Sequence, residues 1–277
     1  RRQGIPTVHY VSPTVWIWRK RRVHKIARAA DLVLCLFPFE PDFYRDFNVP
    51  ATFVGHPLAD QIAADNDPIA ARSALGLEPG ASTVALLPGS RVSEVSRLAE
   101  PMIEAARILA EQRPGLQFVC AIANPEVRVV FEETMERLSF TGISLADNQP
   151  RKVIAAADAV ICASGTATLE TMLVNRPLVM TYKISTASFQ LLKQLRLIRP
   201  QSFSLPNILA GEALIPELIQ TDATGENLAA ATMAWLDNDE SRQKLQQRFL
   251  ELHEQLECNA SETAAAAIGS LLERDRA

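Results

Sequence analysis

The sequence predicts an α/β fold with parallel strands in two doubly wound units. Short apolar runs of three to seven residues alternate with amphipathic stretches along most of the chain, the pattern of strands joined by crossover helices. Two of those runs end in a small-residue turn that leads straight into a helical pattern, Pro88-Gly89-Ser90-Arg91 and Ala163-Ser164-Gly165-Thr166. The composition supports a sizeable core: of 277 residues, 48% are hydrophobic and 22% charged.

In chain order, the first strands are expected at Ile5–Val11, Leu32–Leu36 and Thr52–Val54. Three strands fall short of the five or six of a doubly wound unit, so this unit reads as incomplete. The sequence opens without Met and enters a strand almost at once, which reads as a segment of a longer protein. The stretch Asp60–Pro68 is polar, placing a boundary near Gly55-His56-Pro57 and a first domain at 1–57. A second domain, 58–238, holds strands at Thr83–Leu87, Gln117–Ile122, Ile143–Leu145, Ala159–Cys162 and Leu178–Thr181. Between them, a helix from about Glu94 aligns Val95, Leu98, Ala99, Met102, Ala106, Leu109 and Ala110, and another aligns Val127, Val130, Phe131 and Leu138. After Thr224 the pattern is purely helical, with Leu245, Phe249, Leu252 and Leu256 spaced by four and three. Asn259 with Glu262 has the form of a capping box for a last helix. Residues 239–277 are expected as helices packing back on the first domain or on a partner subunit, which leaves a homodimer open.

Several classes are excluded at this level. Disorder and a disulfide-stapled mini-domain do not fit the composition. The four cysteines (Cys35, Cys120, Cys162, Cys258) lie far apart without zinc spacing, so a reduced, cytoplasmic setting is the simplest expectation. No apolar run reaches the length of a membrane-spanning helix. Net charge is only −4, yet the first thirty residues carry eight basic side chains and no acid. Residues 171–211 are again free of Asp and Glu but carry Arg176, Lys183, Lys193, Arg196 and Arg199. Such local basic fields point to an anionic partner, the alternative being two solvated helix faces. Trp16 and Trp18 lie beside Arg19–Arg22, and Phe189, Leu192, Leu195 and Ile198 share a helical face among Lys193, Arg196 and Arg199. Cations beside aromatics and aliphatics suit an anionic membrane surface or an acylated phosphosugar, and core packing is the alternative for the second stretch. A nucleic-acid partner is not expected.

The two turns carry the chemistry. At a strand-to-helix junction the unpaired N–H groups and the positive end of the helix dipole suit a phosphate. Gly89 and Gly165 let the backbone come close, Ser90, Ser164 and Thr166 add hydroxyl donors, and Arg91 can fork onto phosphate oxygens. Glu170, one turn into its helix, can accept from both hydroxyls of a ribose. Either turn alone could be a plain loop with an ordinary N-cap, whereas two at strand ends in one domain describe a pocket for a nucleoside diphosphate. The triplets Asp65-Asn66-Asp67 and Asp237-Asn238-Asp239 have the spacing of metal-binding carboxylates but follow no apolar strand, so they read as caps and linkers, with no metal and no cofactor expected. His9, at the end of a strand, could serve as a base, against a structural role.

Leu86-Leu87-Pro88-Gly89-Ser90-Arg91-x-x-Glu94-Val95, Ala163 to Glu170, Ser204-Leu205-Pro206-Asn207-Ile208-Leu209-Ala210-Gly211 and His9-Tyr10-Val11-Ser12-Pro13 through Trp16, Trp18 and Arg19 resemble the lipid-A-disaccharide synthase family from Gly4 to Ala267. The resemblance implies a GT-B glycosyltransferase of lipid A biosynthesis, peripheral on the inner face of the inner membrane. It implies transfer from UDP-2,3-diacylglucosamine to 2,3-diacylglucosamine 1-phosphate (lipid X) with inversion, without metal. It assigns Glu170 to the ribose, Arg91 to phosphate and Asn207 to the cleft. It also implies that a glycine-rich loop and the Asp base precede Arg1, so the fragment would bind UDP yet lack activity. A UDP-sugar epimerase on the same fold and a non-catalytic nucleotide-sugar or lipid-phosphate module are the alternatives.

Overall fold

The computed structural model describes residues 4–12, 23–185 and 202–276. Two compact units make up the chain, one from 1–63 with 251–277 and one from 64–250. The basic, aromatic stretches around Trp16, Trp18, Arg19 and Arg22 and around Lys193, Arg196 and Arg199 lie outside the described residues.

The first unit is built on β1 (Val8–Tyr10), β2 (Leu32–Cys35) and β3 (Ala51–Phe53), parallel and in that spatial order. Central β2 is buried on both faces, and its residues divide by strand alternation. Val33 and Cys35 pack with Val23, Tyr44 and Val49, while Leu32 and Leu34 pack with Val54 and Ala264. Helix Pro57–Gln61 belongs here because the chain after Leu256 ties it down. The His56 N–H donates to the Leu256 carbonyl at 2.9 Å, and the Asp60 carboxylate accepts from the N–H groups of Cys258, Asn259 and Ala260. These bonds move the first boundary from the expected 57/58 to 63/64, and the last one from 238/239 to 250/251. They also replace the expected capping box. Asn259 has φ +51°, outside the extended geometry of an N-cap, and Asp60, up to 200 residues away, supplies the acceptor for the last helix, Ala260–Arg276.

The second unit has six parallel strands: β4 (Thr83–Leu87), β5 (Gln117–Ile122), β6 (Ile143–Asp147), β7 (Ala159–Ala163), β8 (Leu178–Tyr182) and β9 (Glu217–Ile219). Their spatial order is β6-β5-β4-β7-β8-β9. Counted within the unit this is 3-2-1-4-5-6, the doubly wound order, and it reverses direction between β4 and β7. Strand β9 is an addition to the expected set: its three half-buried residues offer no alternation to read. Helix Val92–Gln112 buries Val95, Leu98, Ala99, Met102, Ala106 and Leu109, the face its spacing predicts. Helix Pro125–Arg137 buries Val127 and Phe131 on the same side, and Leu228, Ala229 and Leu236 of helix Gly225–Asp237 complete that core. Among the described residues no helix is long and apolar enough to cross a membrane.

Candidate functional site

A cavity of about 420 Å³ opens at the carboxyl ends of β4 and β7, where the strand order reverses. Its wall includes Gly89, Ser90 and Arg91 from the first turn and Ser164, Gly165, Thr166 and Glu170 from the second. Two turns separated by more than seventy residues in sequence therefore share one wall, because β4 and β7 are hydrogen-bonded neighbours, Leu87 pairing with Cys162. Ala121, Ile122 and Pro150 form an apolar side.

The turns are shaped for close approach. Gly89 has φ +110°, and a Cβ there would stand 2.7 Å from the Glu94 carboxylate. Gly165 has φ +130°, and a Cβ there would enter open space, the space a ligand would take. Helices Val92–Gln112 and Thr166–Leu173 both begin without a side-chain cap. By contrast, Asp67, Asn124 and Thr224 each cap the helix that follows them. Where the protein's own side chains do not take the first-turn N–H groups, those donors and the dipole remain for an anion.

The charged groups are few. Arg91 Nη1 lies 2.8 Å from Glu94 Oε1, and Arg91 is otherwise well exposed, free to turn toward a ligand. Glu170 is mostly buried, and burial raises its carboxyl above the ordinary range while Arg151 pulls it back, the Arg151 Nε standing 3.7 Å from Glu170 Oε2. Asn124 does double duty: its Oδ1 accepts from Val127 N–H and its Nδ2 donates to the Ser90 carbonyl at 3.0 Å, pinning the first turn. Glu94, Asn124 and Arg151 were not among the expected site residues. The signal for Asn124 was an Asn-Pro step directly after an apolar strand, the same junction type as the two glycine turns.

Asn207 requires a correction. It is buried and does not line the cavity. Its Nδ2 donates to the Ile215 carbonyl and to Glu217 Oε1, and its Oδ1 accepts from the N–H groups of Leu214 and Ile215. With those bonds its amide is saturated, and it acts as an anchor. Glu217 gathers the same loop, accepting from the N–H groups of Phe203 and Ser204 and from the Ser204 hydroxyl. That loop is joined to the second turn, because Ser164 Oγ donates to the Phe203 carbonyl at 3.3 Å.

The remaining candidates have other places. His9 is exposed on β1 in the first unit. Asp67 caps its helix through Ile69 and Ala70, Asn238 accepts from Ser241 N–H, and Asp237 and Asp239 pair with Arg113 and Arg242. The two triplets thus work as caps and ion pairs. The four cysteines are free thiols, and burial pushes Cys162 up to about 12.

A doubly wound parallel sheet with a cavity at its reversal point places this unit among the α/β proteins that bind ligands at a topological switch point. Solved structures agree on the fold. UDP-GlcNAc 2-epimerase from Neisseria meningitidis, solved bound to UDP-GlcNAc, superposes with a TM-score of 0.62 at 12% identity, covering 98% of this chain and 71% of that one. WaaG, a glycosyltransferase involved in lipopolysaccharide biosynthesis, gives 0.56 at 13% identity, covering 96% of this chain and 76% of that one. The family model described as lipid-A-disaccharide synthetase matches residues 1–268. Lipid-A-disaccharide synthase of Xylella fastidiosa (strain 9a5c) is 47% identical over 274 residues, 98% of this chain and 71% of that protein. The Xanthomonas campestris pv. campestris (strain 8004) protein of the same name is 46% identical, covering 98% of this chain and 63% of that protein. The chain belongs to the lipid-A-disaccharide synthase family of glycosyltransferases in lipid A biosynthesis, and the epimerase alternative is not favoured.

Proposed function

We propose that the cavity binds the UDP moiety of UDP-2,3-diacylglucosamine for transfer of the sugar to lipid X. The supporting observation is the convergence of two uncapped helix starts, Arg91 and Glu170 on one cavity. The diphosphate takes the N–H groups of the two turns together with Ser90, Thr166 and Arg91, joined by Ser164 when its hydroxyl turns away from the Phe203 carbonyl, and the ribose hydroxyls donate to Glu170. The acceptor hydroxyl loses its proton to a base and attacks the anomeric carbon with inversion. The bond to the departing phosphate oxygen breaks, and the charge that develops on UDP is stabilised by the helix starts and Arg91. These fixed positive donors supply what a divalent metal supplies elsewhere, so no metal is required. His9, exposed on β1 of the first unit, is one candidate for that base. The basic stretches around Arg19–Arg22 and Lys193–Arg199 hold the protein at an anionic membrane surface, where its acylated substrates reside.

Calorimetry of the chain with UDP in excess chelator tests the pocket. Glu170→Ala and Arg91→Ala should each weaken binding by about 1–3 kcal/mol, the worth of a charge-assisted contact. Only Arg91→Ala should weaken pyrophosphate. Unchanged UDP affinity in both variants removes the assignment, and binding that appears only after magnesium or manganese is added restores a metal role.

A further inference from the structure

We propose that Arg151 is a positioning residue of this site: it holds the Glu170 carboxylate in its ionised, ribose-accepting form, so that loss of Arg151 makes nucleotide binding acid-sensitive. The inference deepens the donor-pocket reading and rests on it.

Glu170 projects from helix Thr166–Leu173 into the cavity with only 22% of its side chain exposed. A carboxylate so placed tends to take up a proton unless a cation faces it. The cation is Arg151, on the first turn of helix Pro150–Ala156, whose Nε stands 3.7 Å from Glu170 Oε2. The other groups around Glu170 are otherwise engaged or neutral. Arg91 and Glu94, across the cavity, bind each other, and Lys152 donates to Gln149 Oε1 at 2.6 Å. Strand β7 brings only the buried thiol of Cys162, β8 ends in Tyr182, and helix Leu205–Ala210 carries no titratable side chain.

Chemistry makes the ionisation matter. A carboxylate can accept from two vicinal hydroxyls at once, whereas a protonated acid has given one oxygen over to its own O–H. The binding-competent form is therefore the charged one, present above the carboxyl pKa and lost as pH falls through it. Burial raises that pKa and Arg151 lowers it, so removing Arg151 moves the loss of binding toward neutral pH.

The experiment compares the chain with Arg151→Ala and Arg151→Lys. A carbon-13 titration of the Glu170 carboxyl, without ligand, should move upward in the alanine variant and return toward the original in the lysine variant. Between about pH 7.5 and about pH 5.5, UDP affinity should fall at least about threefold further in Arg151→Ala than in the unaltered chain, the direction expected for removing a close counter-charge. Pyrophosphate affinity should not distinguish them. An unmoved carboxyl titration overturns the proposal, as does a UDP affinity that drops equally at both pH values. Failure of the unaltered chain to bind UDP at any pH would instead break the donor-pocket reading, leaving the carboxyl titration to decide the ionic link.

Discussion

The two units contain the same kind of junction, a parallel strand turning into a helix, and use it in opposite ways. After β2 in the first unit, the N–H groups of Leu36 and Phe37 both donate to the carboxylate of Glu40, which is 2% exposed. The protein fills that junction with its own anion. The helices after β2, β4 and β7 all begin without a side-chain cap, but in the second unit a cavity stands in front of the turns where the first unit has the Glu40 carboxylate. Topology explains the difference. The described strands of the first unit progress in one direction, β1-β2-β3, whereas the second sheet reverses between β4 and β7. At a reversal the two following connections leave toward opposite faces, and the crevice between them is where a ligand fits. A phosphate-suited turn becomes a site only where the strand order leaves room beside it.

That contrast can be broken most severely from the core of the second unit. Phe131 is fully buried between helices Pro125–Arg137 and Val92–Gln112 and strand β5. Phe131→Ala should cost about 3–5 kcal/mol, the transfer loss plus a cavity, read by urea unfolding. It should weaken UDP binding as well, because Asn124, which pins Ser90, caps the helix that carries Phe131. A large loss of stability with UDP affinity intact would mean that the turns hold their shape without the core beneath them.

A smaller effect sharpens the filled junction. Glu40→Ala should leave two half-buried N–H groups without their acceptor and destabilise the first unit by about 1 kcal/mol. UDP affinity should stay unchanged. Amide hydrogen exchange, which reads each unit through its own strands, would show lost protection in β2 and not in β4.

The smallest expected effect depends on pH. His56 is held below its ordinary value by burial, with Asp60 opposing, and its Nδ1 accepts from Leu58 N–H at 3.1 Å as the cap of helix Pro57–Gln61. The neutral ring is the form that caps. A base whose folded pKa is depressed contributes stability that is full above the unfolded value of about 6.5 and is lost as pH falls below it. Exchange protection in the first unit should therefore decline as pH falls from about 7.5 to about 5.5, and His56→Asn, a cap that does not titrate, should flatten the decline. An unaltered slope in that variant would assign the acid sensitivity to other groups.

Much of the architecture was written locally. Strands at Thr83–Leu87 and Gln117–Ile122 have the bounds their apolar runs predict, and helix Val92–Gln112 buries the face its spacing marks. The two glycine turns could be read as anion-suited junctions from sequence, and both line the cavity. Such features depend on dihedral preference and on side-chain periodicity within about ten residues, so a single sequence contains them. What tertiary structure alone decided is who meets whom. The strand order that sets β4 against β7, the Asp60 carboxylate that caps the last helix and the approach of Arg151 to Glu170 join residues apart in the chain, and the Glu217 network that turns Asn207 from a ligand candidate into an anchor closes an irregular loop with no repeating pattern to read. No local pattern encodes these meetings, because they are chosen by the packing of whole elements, where burying apolar faces and satisfying every buried polar group must be solved together.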